Sequence, residues 1–498
     1  MTLWRTFRND RLFAVLFGIL LLCAWLPLTQ TPILPFIDLQ NNVGGASMIY
    51  EAATGGPMAT YYQVNWNPVP YWTGYMIMAI MAQLVNTLFA AKFICGLLSL
   101  VLPLSVVRLL IAIGRSPRQG LWAFLLVWDR NLYAGWVSYL LGMAVALYTL
   151  ALLIEIKDWR GALRVTFMSA LVALTHIQAL AFLAVAGITL VLTRRVSIKR
   201  VFQGALALSG GLVGTWPWLS RIFAKVPANT VEQAFRFNWH TPHEKMAGFY
   251  SFTFGSFGGQ FDSNLPVLVF CTLFIGPILL MSLPRKMPDS PLWPPMLVTL
   301  SCFVLYLILP FQFTGPIEHK HTYVRYGTFI LLGMLLIPRP RLQGTSAWVL
   351  APGIIMAILL DLHVARQLRD VSKRTTPYLE IIANITPHSR ILPVVLEIGD
   401  PACYMAPYNQ FHSYATGMTR SYDPLYFNNS STPIIYKSAA RLPYPGQKSL
   451  DYEHHIRYYD YVLVQGLAKD PFRNQLSSAP VRLVKEAGMW RLYAVNKP

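Results

Sequence analysis

The sequence predicts a polytopic α-helical membrane protein of about eleven transmembrane helices with a C-terminal extramembrane α/β domain. Of its 498 residues, 54% are hydrophobic and 13% are charged, whereas soluble domains carry roughly 25% charged residues. Apolar runs of membrane-crossing length recur through 1–361. The remainder, 362–498, is rich in Pro, Tyr, Asn and Asp. We therefore predict a transmembrane domain followed by one soluble α/β domain.

The apolar runs give the order of the predicted crossings. A crossing helix needs about 20 apolar residues, and single crossings are predicted at 12–29, 71–90, 93–112, 135–155, 201–221, 265–284, 293–311, 324–338 and 345–361. As one helix, 161–193 would be about 50 Å long, so a hairpin of two short helices with an outer tip is predicted there. Basic clusters at 194–195, 285–286 and 339–341 then fall on the side of the N-terminus.

One segment, 113–134, disagrees with this count. The count places Arg115 and Arg118 outside, although their positive charge favours the cytoplasmic side. We predict a partial or re-entrant helix at 121–130. The long outer segments are then 30–70, 222–264 and the C-terminal domain.

The net charge is +19. Because Lys and Arg occur in short clusters between apolar runs, they indicate membrane topology and contacts with anionic lipids, and no nucleic-acid partner is predicted. The predicted location is integral in a membrane, the bacterial inner (cytoplasmic) membrane, with the C-terminal domain outside.

Asp38 opens the first outer loop, and the apolar spacing from Leu39 to Ala53 predicts a helix along the membrane surface. One interpretation makes Asp38 the N-cap of that helix. The other makes it a general base at the lipid–water boundary, which deprotonates an acceptor hydroxyl beside a lipid-borne substrate.

An acidic residue in the first outer loop, a surface helix, about eleven crossings and a C-terminal outer domain together resemble the GT-C class of integral-membrane glycosyltransferases. Protein O-mannosyltransferases and aminoarabinose transferases belong to that class. The resemblance implies an inverting enzyme of cell-envelope glycan biosynthesis, with Asp38 as its catalytic carboxylate. It also implies a polyprenyl-phosphate sugar donor and a lipid, glycan or protein acceptor. Leu39 and Asn41 stand where class members often carry a second acid or a histidine, so a divalent ion (Mg or Mn) stays open and no metal ligand is assigned.

The donor's phosphate needs a cationic outer site. The segment 318–325 concentrates cations just before an outer-leaflet helix start, and Lys320, His321 and Arg325 are its candidate phosphate-binding residues. The alternative is an interfacial anchor in which these side chains reach lipid headgroups.

Other polar residues of the outer side are candidates for substrate binding: Asn42, His176, Arg236, His240 and His243. The last two could also be a metal pair without a fixed third ligand or part of a wet loop, and His176 could be a structural histidine at the tip of the predicted hairpin. Asp129 is a candidate second catalytic acid, and its alternative is an ion pair with Arg130.

Two other functional classes remain open. A polysaccharide polymerase or ligase would depend on outer-loop arginines and tolerate loss of Asp38. A lipid or glycan transporter would be expected to show paired repeats and broken helices. A scaffold of envelope assembly would have the same arrangement of helices without a functional active site.

Overall fold

The structure, a computed structural model, describes most of the chain. The described residues are 3–193, 198–224, 236–257, 264–281, 293–314, 319–338, 348–426, 432–444, 450–466, 476 and 479–497. The basic clusters predicted at 194–195, 285–286 and 339–341 lie outside them.

Helices dominate the described part of the chain. The first ten are α1 Leu3–Asn9, α2 Arg11–Thr29, α3 Ile37–Thr54, α4 Trp72–Leu84, α5 Thr87–Ala112, α6 Arg130–Tyr133, α7 Val137–Ile154, α8 Trp159–Thr175, α9 Ile177–Thr193 and α10 Ile198–Ala224. The others are α11 Pro242–Phe254, α12 Asn264–Met281, α13 Trp293–Ile308, α14 Tyr326–Leu336, α15 Ala351–Thr375, α16 Tyr378–Ile382 and α17 His412–Thr419. A 3-10 helix spans Pro117–Leu126, and shorter ones span Pro57–Thr60, Ser438–Ala440 and Ile456–Tyr458.

Four described helices are long and apolar enough to cross a membrane. They are α2, α5, α7 and the segment Trp348–Thr375, which contains α15. Shorter apolar helices accompany them, among them α9 and α14. α8 and α9 form the pair of short helices that the length of 161–193 predicted. The fold is therefore a polytopic helical membrane fold.

Ion pairs identify one end of the helical bundle. Arg118 forms two hydrogen bonds with Asp10, whose carboxylate caps the start of α2, at 2.6 and 2.9 Å. Arg108, near the end of α5, pairs with Glu155 just after α7. The prediction that Arg118 lies on the side opposite the N-terminus is therefore wrong. The 3-10 helix, which replaces the partial helix predicted at 121–130, leads away from this end.

The second difference concerns the crossing predicted at 71–90. Gln83, near the end of α4, accepts a hydrogen bond from Arg420 of the C-terminal region at 3.4 Å. Thr87, the first residue of α5, donates to the carbonyl oxygen of Gly417 at 3.0 Å. Because α4 is followed at once by contacts to the C-terminal region, and Tyr71 before it contacts the same end of the bundle, α4 does not traverse the bundle.

The C-terminal region contains a four-stranded sheet. Its strands are β5 Ile391–Val395, β7 Tyr461–Gln465, β8 Val481–Ala487 and β9 Trp490–Val495, in the order β5-β7-β9-β8. β5 and β7, predicted at 390–396 and 459–465, pair in parallel, and the other two pairings are antiparallel. The domain boundary predicted at 361/362 falls inside continuous α15, and the domain division stays a prediction.

Two small sheets join distant parts of the chain. β1 Tyr62–Val64, which follows α3, pairs with β6 Ile434–Tyr436 of the C-terminal region. β2 Arg236–Asn238 pairs with β3 Gln312–Thr314, which pairs with β4 His319–Lys320. The first pairing fixes the C-terminal region on the segment that carries α3.

The start of α3 is set by a close backbone contact. The amide of Asp38 donates to the carbonyl oxygen of Ala134 at 3.0 Å. The next residue, Gly135, has φ +76°, and a Cβ there would lie 2.1 Å from the amide nitrogen of Leu39. Only glycine therefore allows the segment before α7 to approach α3 this closely.

Candidate active site

A cavity of about 460 Å³ lies where the start of α3 meets the C-terminal region. Its polar and aromatic lining comes from both parts of the chain: Asp38, Asn41, Asn42, Tyr71, Tyr75, Trp136, Ser138, Tyr139, His176, His319, Lys320, His321, Arg325, Asn409, Gln410 and Thr432. Cavities of roughly 300–1,000 Å³ with a few convergent polar groups are typical of small-molecule and cofactor sites.

Asp38 is held in this cavity by two donors. Trp136 Nε1 donates to Oδ2 at 3.0 Å, and Gln410 Nε2 donates to Oδ1 at 3.3 Å. The N-cap of α3 is Phe36, so the interpretation of Asp38 as the N-cap is wrong. The carboxylate is oriented toward the cavity.

Competing effects act on the acidity of Asp38. Its depth among protein atoms raises the pKa above the usual aspartate range, while the Arg325 guanidinium and the bonds from Trp136 and Gln410 act in the opposite direction. The side chain remains partly open to the cavity. A carboxylate in this environment is a stronger base than one on an exposed surface.

Arg325 supplies a buried positive charge to the same cavity. Its guanidinium is stacked 4.2 Å from the ring of Trp136, and its side chain is 8% exposed. Its Nη1 contacts three neutral groups: Gln178 Oε1 at 2.9 Å, His319 Nε2 at 3.0 Å and His176 Nε2 at 3.2 Å. Within the described parts of the chain no carboxylate forms an ion pair with it, and its Nε has no hydrogen-bond partner.

The histidines beside Arg325 are neutral at pH 7. Burial lowers the pKa of His319 well below its ordinary value, and Arg325 and His321 lower it further. Burial, with Arg325 as the next cause, lowers the pKa of His321 to about 4. Arg325 and exposed Lys320 therefore provide the positive charge of this wall.

Comparison with solved structures places this geometry in a known fold. The chain is similar to the crystal structure of ArnT from Cupriavidus metallidurans bound to undecaprenyl phosphate, with a TM-score of 0.56 and 12% identity over 97% of each chain. ArnT is an aminoarabinose transferase of the GT-C class. The chain has the GT-C fold.

Two more solved structures are similar to the chain. Apo ArnT from Cupriavidus metallidurans matches at a TM-score of 0.55 and 12% identity, over 97% of each chain. Mycobacterial arabinofuranosyltransferase AftD (R1389S) matches 98% of this chain and 41% of its own at 12% identity and a TM-score of 0.45. No protein-family model and no curated protein sequence matches the chain. The two ArnT structures confirm the resemblance to GT-C enzymes at the level of the fold.

The cavity brings together six of the ten residues that the sequence singled out. They are Asp38, Asn42, His176, Lys320, His321 and Arg325. Asn42 accepts a hydrogen bond from the Tyr75 hydroxyl at 3.0 Å. The catalytic and binding roles of these residues stay predictions, because the comparison concerns the fold.

The other four residues lie elsewhere. His240 stacks on Phe311 at 4.4 Å and forms a hydrogen bond with the Tyr323 hydroxyl at 2.8 Å, outside the cavity lining. Arg236 is exposed on β2 and His243 is exposed in α11. β2, which carries Arg236, pairs with β3, and β3 pairs with β4, which carries Lys320 of the cavity lining.

Asp129 is fully buried but does not line the cavity. It accepts hydrogen bonds from Thr328 and Asn131, both at 2.6 Å, and burial raises its pKa to about 6. Arg130 instead donates to the carbonyl oxygen of Ser251 at 2.7 Å. The predicted ion pair between Asp129 and Arg130 is wrong, because Asp129 caps α6 and the two side chains have different partners.

Sequence reasoning missed several residues that shape the cavity. Trp136 and Gln410 hold Asp38, and Tyr71 and Tyr139 pack edge-on against the His176 ring. These residues belong to no local motif. The aromatic enrichment near the first residues of α4 and α7 was the available signal for the tyrosines and Trp136, and nothing in the sequence pointed to Gln410.

Proposed function

We propose that the protein is a glycosyltransferase that moves a sugar from a polyprenyl-phosphate donor to an acceptor hydroxyl, on the outer side of the membrane where the C-terminal region lies. Asp38 is the general base. Arg325, with Lys320 at the rim, binds the donor's phosphate.

The charge of Arg325, which has no hydrogen-bonded carboxylate among the described residues, is the observation that carries this proposal. A buried cation without an anionic partner costs several kcal/mol of folding free energy. Such a charge is stabilised when a phosphate enters and accepts hydrogen bonds from the guanidinium. Arg325 and Asp38 share one cavity, so phosphate bound at Arg325 would bring its sugar next to the base.

The reaction follows from these two groups. Asp38 takes the proton of the acceptor hydroxyl, whose oxygen attacks the anomeric carbon and displaces the phosphate oxygen of the carrier. One glycosidic bond forms as the sugar–phosphate bond breaks, with inversion at carbon. The polyprenyl phosphate leaves with one more negative charge than the donor phosphodiester had, and Arg325 stabilises that charge.

The path of the chain across the membrane is also a proposal. Eleven crossings result if the 3-10 helix Pro117–Leu126 crosses and α4 does not. They are α2, α5, the 3-10 helix, α7, α8, α9, α10, α12, α13, α14 and α15. At about 2.0 Å per residue, ten 3-10 residues span roughly 20 Å. This path places Arg118 at the cytoplasmic end and Asp38 at the outer end.

The residues around Asp38 do not fit a divalent metal ion. Both carboxylate oxygens already accept hydrogen bonds, and the nearby Arg325 repels a second cation. No group of three or more His, Cys, Asp or Glu side chains in the described part of the chain could hold a metal. We propose transfer without Mg or Mn, so EDTA should leave the rate unchanged. A rate lost with EDTA and restored by either ion would contradict this.

Transfer of radiolabelled sugar from a panel of polyprenyl-phosphate donors tests the function. Purified wild-type protein should transfer label to a hydroxyl acceptor, and Asp38→Asn should abolish transfer while retaining donor binding. Asp451→Asn, an exposed carboxylate in the C-terminal region, is the matched control and should retain wild-type rates. Equal transfer by Asp38→Asn and wild type would remove Asp38 from the chemistry and favour a polymerase or ligase.

A further inference from the structure

The C-terminal region contributes the amide side chain of Gln410 to the cavity lining. This amide has a hydrogen-bond donor, Nε2, and an acceptor, Oε1. Gln410 Nε2 donates to Asp38 Oδ1 at 3.3 Å. The Oε1 atom of the same amide is buried and has no hydrogen-bond partner among the described residues. One end of this amide therefore contacts the proposed base, and the other end is an unused acceptor.

The orientation of the amide follows from Asp38. An ionised carboxylate only accepts hydrogen bonds, so the NH₂ group of Gln410 must face it. The carbonyl oxygen is then directed away from the base. A buried polar atom without a partner is destabilising, and native proteins keep few of them.

Because Gln410 lines the cavity, a small movement of its side chain would bring the buried Oε1 to a ligand bound there. A carbonyl oxygen requires a donor, which excludes the deprotonated phosphate of the carrier. Ser138 Oγ, in the same lining, is likewise buried without a partner among the described residues. An acceptor and a hydroxyl in one cavity match a ligand with several hydroxyl groups.

We propose that Gln410 binds a substrate hydroxyl through Oε1 while its Nε2 positions Asp38. The hydroxyl belongs either to the donor sugar or to the acceptor. This inference rests on the proposed function and adds to it: the C-terminal region takes part in substrate selection beside the base. A ligand lacking that hydroxyl would leave Oε1 unpaired and would be discriminated against.

A double-mutant cycle tests the contact. The probes are polyprenyl-phosphate sugars and acceptors, each with its monodeoxy analogues, and the variants are wild type and Gln410→Met, which keeps the length of the side chain without its amide. For wild type, one monodeoxy analogue should lower kcat/KM roughly ten- to hundredfold. In Gln410→Met that analogue and its parent should react equally, because the partner of the hydroxyl is already gone. Whether the analogue is a donor or an acceptor identifies the substrate concerned.

The positioning role has its own readout. Gln410→Glu places a like charge beside Asp38, which raises the pKa of the base and moves the acidic limb of the pH–rate profile upward. Tyr404→Ala is the control from the same segment, because its side chain is 63% exposed, and it should leave the profile unchanged. Melting temperatures matching wild type show that each variant is folded.

The outcomes separate this inference from the proposed function. One outcome is that wild type transfers sugar while every monodeoxy analogue lowers kcat/KM, relative to its parent, by the same factor in wild type and in Gln410→Met. In that case the hydroxyl contact is overturned and the proposed function stands. An unmoved acidic limb in Gln410→Glu overturns the positioning role. If wild type transfers sugar from no polyprenyl-phosphate donor, the function fails and this inference fails with it.

Discussion

The indole of Trp136 contacts both the proposed base, Asp38, and the proposed phosphate-binding residue, Arg325. Its Nε1 donates to Asp38 Oδ2 at 3.0 Å, and its ring lies 4.2 Å from the Arg325 guanidinium carbon. The same side chain therefore fixes the carboxylate and holds the cation beside it. Because a hydrogen bond to the ionised form lowers a carboxyl pKa, Trp136 also influences the acidity of Asp38.

Trp136→Phe should retain the stacked ring and lose the hydrogen bond. We expect a roughly ten- to hundredfold lower kcat/KM, as for loss of a hydrogen bond to a charged group. The base works when ionised, so activity falls as pH falls through the pKa of Asp38. The acidic limb of the profile of kcat/KM against pH should therefore move to higher pH in the variant. Trp66→Phe, an exposed tryptophan, should leave the limb in place; a downward shift in Trp136→Phe would contradict the assignment.

Gly135→Ala should disrupt the site through the backbone. The new Cβ would lie 2.1 Å from the Leu39 amide nitrogen in a left-handed conformation, so α3 and Asp38 must move. We expect activity to fall more than tenfold and the free energy of unfolding to fall by about 2 kcal/mol or more. Gly55→Ala is the matched control, because Gly55 has φ +80° but open space around it. Gly55→Ala should lower the free energy of unfolding by about 1 kcal/mol and change activity little. Equal losses of activity in Gly55→Ala and Gly135→Ala would contradict this prediction.

Arg325→Gln should bind donor weakly and yet unfold at a higher temperature. The substitution removes a buried charge that has no hydrogen-bonded carboxylate among the described residues, which favours the folded state of the ligand-free protein. Polyprenyl phosphate should raise the melting temperature of wild type and leave that of the variant unchanged. Arg457→Gln, at an exposed arginine, should behave as wild type. A variant stabilised by polyprenyl phosphate as strongly as wild type would remove Arg325 from the phosphate site.

Cysteine labelling should establish which end of the bundle faces the cytoplasm. In a background without the five native cysteines, Arg118→Cys in intact cells should resist a membrane-impermeant thiol reagent, and Tyr404→Cys should react. After permeabilisation, Arg118→Cys should react as well. Labelling of Arg118→Cys from outside would contradict the proposed path through Pro117–Leu126.

The sequence predicted the membrane fold and the short hairpin, and it singled out Asp38 and Arg325, because these depend on local apolar length and charge. The path that we propose between 71 and 134 was not predictable in this way. Ten residues in a 3-10 helix are fewer than an α-helical crossing needs, and α4 is apolar although it does not traverse the bundle. Apolar length does not distinguish a helix that crosses from one packed among others.

Residues that the fold brings together over long distances were also missed or misassigned. Trp136 and Gln410 lie 98 and 372 positions from Asp38, and no spacing rule connects them. Asp129 and Arg130 were paired because they are adjacent, but neighbouring side chains at a helix start point to different partners. Contacts of this kind follow from the three-dimensional fold and not from a local sequence pattern.

The separation between Asp38 and Gln410 also bears on biogenesis. On the proposed topology, the ribosome must complete most of the chain, and the export machinery must deliver the region after α15, before the two side chains can meet. In an unfinished polypeptide, or in one whose last portion remains in the cytoplasm, Asp38 would lack the contact with Gln410. On the proposed function, nascent chains would therefore be inactive until export is complete.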